Sequence, residues 1–194
     1  MKKRLFLFCM ILALVFACAA CKGPAEHPIK TLRGELEAAE NYQMVFEFTE
    51  VPELGSFTAT VKIDGDKTYT EDSLGTVKQY TERADDILYL YTQSEGGWQK
   101  QELSAQDDNA YISEKDFDTL FGENNYVLAE GTDQSYFMID SVSLDGLEGV
   151  ALTVTDDGCI ITATVRQNGL SMQAKITVKE IGTTTVTLPE IEKP

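Results

Sequence analysis

Histidine is nearly missing from this chain: His27 is the only one in 194 residues. A catalytic triad or zinc site that draws on a histidine inside the folded domain is therefore excluded. Cysteine is also scarce where a fold would use it. Three of the four cysteines fall within the first 21 residues, which leaves Cys159 alone for the rest. No disulfide can form within that part, and Cys159 sits in an alternating segment, as a buried strand residue does. Past residue 21 there is no Cys-x-x-Cys, no Gly-x-Ser-x-Gly and no glycine-rich phosphate loop. Positive charge is short as well, with 16 Lys and Arg against 32 Asp and Glu. No basic cluster is available to neutralise phosphates, so nucleic-acid binding is not expected.

What the chain does have is an unusual beginning. Lys2, Lys3 and Arg4 precede residues 5–17, which are apolar apart from the thiol of Cys9. Small residues and cysteines follow: Ala17, Cys18, Ala19, Ala20, Cys21. Cations, a short apolar run and small residues make a secretory signal peptide. A spanning helix needs about 20 apolar residues, more than this run supplies. Removing residues 1–20 takes away three cations and leaves 13 basic against 32 acidic residues, a net charge of −19 on 174 residues. That length suits one domain. Charge of this size repels an anionic membrane surface and favours solubility.

Residues 21–28 contain Gly23, Pro24 and Pro28 and read as a tether. Ile29, Leu32, Leu36 and Ala39 then recur at helical spacing, so a helix is expected over 29–40. After it the period changes to two. Tyr42, Met44, Phe46 and Phe48 alternate with more polar residues, as do Phe57, Ala59, Val61 and Ile63. Asp64-Gly65-Asp66 is a hairpin turn. It lacks the other ligands of a calcium loop. Strands are expected over 76–83, 87–92 and 98–103. Tyr89 and Tyr91 point one way and Leu88 and Leu90 the other, so a helix is expected to cover the second face. Residues 104–109, with Asp107-Asp108-Asn109, read as a solvated loop. A second helix over 113–121 has Ser113 as its cap and Gly122 as its stop. Short strands are expected over 126–129 and 136–140. Four more, over 150–155, 160–167, 170–179 and 183–188, are divided by Asp156-Asp157-Gly158, Asn168-Gly169 and Ile181-Gly182. The expected architecture is α+β and β-dominated, an antiparallel meander of about ten strands with two helices, in one domain over 29–194.

Two stretches carry a family likeness. One is Asp85-Asp86-Ile87-Leu88-Tyr89-Leu90-Tyr91 followed by Gly97-Trp98-Gln99-Lys100. The other is the ending Ile181-Gly182-Thr183-Thr184-Thr185-Val186-Thr187-Leu188-Pro189-Glu190, which looks like the closing strand of lipoproteins from Gram-positive bacteria. With the order of elements, these stretches resemble the superfamily of bacterial lipoproteins and lipoprotein-localisation factors, which includes the periplasmic lipoprotein carrier and the mycobacterial glycolipid-binding lipoproteins. The start of the chain likewise resembles a lipobox. Cys21 after Ala19-Ala20 is the favoured lipidation site. Cys18 after Val15-Phe16-Ala17 is the alternative.

The resemblance implies an open, strongly curved half-barrel with two helices packed against its concave side, and an acyl chain held between them. Met44, Phe46, Phe48, Tyr89, Tyr91, Met172 and Ile176 are the candidate wall. The expected role is a lipid-anchored, extracytoplasmic carrier or sensor of an apolar ligand. The alternative is an envelope protein-interaction module with a packed core. No enzyme activity, cofactor or metal is implied.

Overall fold

A computed structural model describes residues 26–85, 87–103, 114–144, 146–167 and 169–191. The expected signal peptide, Cys18, Cys21, the expected tether up to residue 25, the expected loop over 104–109 and Ser113 lie outside the described residues. The elements in chain order are α1 (Pro28–Ala39), β1 (Asn41–Val51), β2 (Gly55–Asp64), β3 (Lys67–Asp72), β4 (Lys78–Ala84), β5 (Ile87–Ser94) and β6 (Gly97–Leu103). Then come α2 (Glu114–Leu120), a 3-10 turn (Glu123–Asn125), β7 (Tyr126–Leu128), β8 (Ser135–Met138), β9 (Leu147–Thr155), β10 (Gly158–Gln167) and β11 (Leu170–Lys179).

All eleven strands form one antiparallel sheet in the order β6-β5-β4-β3-β2-β1-β11-β10-β9-β8-β7. It is two meanders joined at a seam. The chain lays down β1 to β6 outward, passes to the far edge, and returns from β7 to β11. There Phe46 comes opposite Ile176. The sheet is open, with β6 and β7 at its edges. The hairpins follow the turn residues. Asp64 pairs with Lys67 around Gly65, whose φ is 55°, in the left-handed region that glycine enters without strain.

Antiparallel partners share a face, so the register sorts the side chains. One row on the helix side runs Val61, Met44, Val178, Cys159, Val154. The next runs Ala59, Phe46, Ile176, Ile161, Leu152. Helix α1 presents Ile29, Leu32 and Leu36 to this face, all buried, and packs chiefly on β1 and β9. Leu120 and Phe121, Tyr136 and Leu144 complete the same core. His27, expected as part of a tether, instead caps α1. Its Nδ1 accepts a hydrogen bond from the Ile29 amide at 3.3 Å. Its ring lies 5.1 Å from that of Tyr136. Arg33 joins the helices by pairing with Asp118 at 2.6 Å and Glu37 at 2.7 Å.

Two expectations need correction. Residues 183–188 are not a strand. The chain turns at Glu180, with φ 56°, and runs on as a strap. Its polar groups bond to side chains: Asn41 Nδ2 donates to the Thr184 carbonyl at 3.0 Å, and the Val186 amide donates to Asp64 Oδ2 at 2.9 Å. The physical reason is that both sides of β1 and β11 are already paired, so no ladder is free there. The second concerns Tyr91. It is 4% exposed, yet it lies on the face of the sheet away from α1. Tyr80 and Lys100 are its cross-strand partners, while α1 packs over the other half.

Candidate functional site

Five of the seven candidate wall residues lie on the helix side of β1 and β11: Met44, Phe46, Phe48, Met172 and Ile176. Their burial is graded. Met44 is fully enclosed beneath the helices at 1% exposure, while Phe46, Phe48, Met172 and Ile176 are only half-buried. Phe48 pairs with Phe57 across β2, their rings 4.8 Å apart and stacked, and Phe46 stacks along the strand at 6.4 Å. Beside Phe48 stand two small residues, Ala174 and then Ala163. Three phenylalanine rings thus rise next to an alanine floor, with Met172 one step further along β11. Phe57 belongs to this surface although it was not among the seven; its alternation with Ala59 and Val61 was the available signal.

The apolar strip opens toward one end of the sheet. The β1–β2, β3–β4 and β10–β11 turns all lie at that end by register. These turns carry exposed Leu54, Leu74 and Leu170. Asp72, paired with Ala59, bounds the strip on the β3 side.

Tyr89 and Tyr91 are on the other face, so the seven do not form one wall. They belong to an aromatic cluster that serves as a small core for β3 to β6. The rings of Tyr69 and Tyr80 are 4.7 Å apart, and those of Tyr80 and Trp98 5.2 Å. Lys100 Nζ lies 3.8 Å above Tyr89 and 5.1 Å above Tyr91, a favourable arrangement of cation and ring. The Tyr91 hydroxyl donates to Glu82 at 2.6 Å, and Lys100 pairs with the same carboxylate at 3.3 Å. The hydrogen bond from Tyr91, with help from Lys100, holds the Glu82 carboxyl below its ordinary range. Burial raises the Tyr91 hydroxyl.

Cys159 is enclosed at 0% exposure, and burial pushes its thiol up to about 12. It is a packing residue, with almost no thiolate at neutral pH. Clefts of about 390, 750 and 810 Å³ open elsewhere on the surface. The first and third are lined mainly by polar groups, such as Asp116, Glu148 and Arg166 in the first, whereas the second sets Ala38, Ala39 and Ile181 among its carboxylates and is more apolar than polar; none of the three includes a wall residue. Among the described residues, no group of histidine, cysteine and carboxylate side chains is placed to hold a metal ion. Among them, too, no helix is long and apolar enough to cross a membrane. The chain matches no protein-family model, and no curated protein matches it in sequence.

Proposed function

We propose that this chain is an exported bacterial lipoprotein, held on the extracytoplasmic face of the cell membrane by lipid on Cys21, that binds an apolar ligand such as a lipid or acyl chain. In this reading it belongs to the superfamily of lipoproteins and lipoprotein-localisation factors, and the open sheet curves around its helix-side face. It acts as a carrier or sensor and performs no chemistry.

One observation carries the proposal. Phe46, Phe48 and Phe57 form a half-exposed stack that continues the core beyond the part enclosed with α1. Full burial of such a side chain is worth about 1.5–3 kcal/mol, and these three realise only part of that. A ligand laid on the stack and the alanine floor recovers the rest, and each ligand methylene adds about 0.8 kcal/mol.

A photoreactive fatty acid tests the site. Labelling is expected in the β1 and β2 peptides, and Phe48→Asp should cut it about tenfold or more, since a carboxylate there must be desolvated. Phe48 is half-exposed, so the variant should keep its fold, which circular dichroism checks. Equal labelling of the variant would overturn the assignment. A second reading rests on the open edges of β6 and β7. It is an envelope protein-interaction module in which a partner adds a strand.

A further inference from the structure

The other large exposed apolar group lies on the β7–β8 edge, and it coincides with the place where the tether enters the domain. Val127 and Leu128 on β7 are each 54% exposed, and Phe137 on β8 is 55% exposed. Leu128 is the cross-strand partner of Tyr136, and Val127 that of Phe137. Leu128 therefore lies on the helix side and the other two on the opposite side. The edge is apolar on both faces, which the polar β6 edge, with Gln99, Lys100, Gln101 and Glu102, is not. The His27 ring lies against that of Tyr136, tilted at 45° with centroids 5.1 Å apart, so the chain reaches the domain beside this same edge.

The geometry points to the β7–β8 edge as a membrane-contact wedge, which seats the domain edge-on in an interface of zwitterionic headgroups beside its anchor, since the acidic excess of the chain repels an anionic surface. This inference rests on the proposed lipid at Cys21. Only five chain steps separate Cys21 from Glu26, where the described structure begins, a reach of at most about 18 Å when fully extended. An anchor that short keeps the neighbouring edge near the headgroups. Apolar groups that lie in the interface sink about 5–10 Å into the headgroup and acyl boundary. The outer backbone groups of β7 are unpaired within the sheet, and water and headgroups can satisfy them at that depth, though not in the hydrocarbon.

The test uses the mature protein, produced in bacteria with its own signal and reconstituted in phosphatidylcholine vesicles. An environment-sensitive dye is attached at Phe137→Cys or, as a control, at Gln101→Cys on the opposite edge. Native Cys159 is enclosed and does not compete. Quenching by lipid-borne quenchers is expected to be at least about fivefold greater at position 137, in keeping with that depth of insertion. Equal quenching, in protein that floats with the vesicles and carries lipid by mass, would overturn the wedge and leave the anchor standing. Protein that carries no lipid and does not float would overturn both. Protection at position 137 only in native membranes, with a cross-link to another protein, would assign the edge to a protein partner instead.

Discussion

At Gly158 the backbone takes a φ of 146°, and a Cβ there would stand 2.2 Å from the carbonyl oxygen of Val178. The sequence marks this position as a turn through Asp156-Asp157-Gly158. It does not reveal that glycine is needed because β11 passes so close. Gly158→Ala is expected to destabilise by roughly 2–4 kcal/mol, from strain together with displacement of β11, and a urea titration would read this as a lower midpoint. A second residue-scale expectation concerns acid. Glu82 is held in its carboxylate form by Tyr91 and Lys100. Its contribution to stability is therefore full above its ordinary value of 4.5 and is lost as pH falls through the lower folded value. Glu82→Gln should be less stable near neutral pH and should lose less stability between pH 5 and pH 3, as thermal melts across about that range would show. A variant with the unchanged acid profile would remove Glu82 from that account.

At the scale of elements, the legible parts are those with a strict period and firm punctuation. Helix α1 shows Ile29, Leu32 and Leu36 at helical spacing, and all three are buried. Strands β1, β2, β10 and β11 alternate cleanly. The failures have physical causes. The Thr- and Val-rich stretch 183–188 has high strand propensity, but a strand also needs a free edge, which a single segment cannot disclose. Parity along β5 tells that Tyr89 and Tyr91 share a face, but which face depends on register carried through six strands. Helix α1 ends less well than it begins. Glu40 takes the left-handed conformation, φ 55°, while its amide bonds to the Leu36 carbonyl. A residue with a Cβ is strained there. Glu40→Gly is expected to stabilise by about 0.5–1 kcal/mol, read as a higher midpoint in the same titration. A lower midpoint would show that the glutamate makes a contact worth more than that strain.

For the molecule as a whole, the antiparallel character and the two α-helices among the described residues were readable, and the order of strands was not. The pairing of β1 with β11 brings residues more than a hundred positions apart into register, as Gln43 with Lys179. That seam builds the candidate site, because it sets Phe46 and Phe48 beside Ile176, Ala174 and Met172. Five of the candidate wall residues share a face because each strand announces its apolar side, and the two tyrosines fell on the other side because the hairpins transmit a face that turn residues do not encode. The acidic excess lies largely in helices and turns, at residues such as Glu35, Glu53, Glu95, Asp156 and Asp157. The helix-free face carries ion pairs between strands, Glu47 with Lys175 and Glu148 with Arg166. Exposed pairs of this kind add at most about 1 kcal/mol each, so the core holds the fold.

The central claim is that an apolar ligand covers the phenylalanine stack. Native mass spectrometry of the chain from residue 22 onward, run beside an organic extract of the same sample, tests it most directly. The expected result is a stoichiometric lipid mass that survives purification and is lost in Phe48→Asp. A clean unliganded mass, unchanged after incubation with membrane lipids, would contradict the claim and favour a partner at the open edges of the sheet.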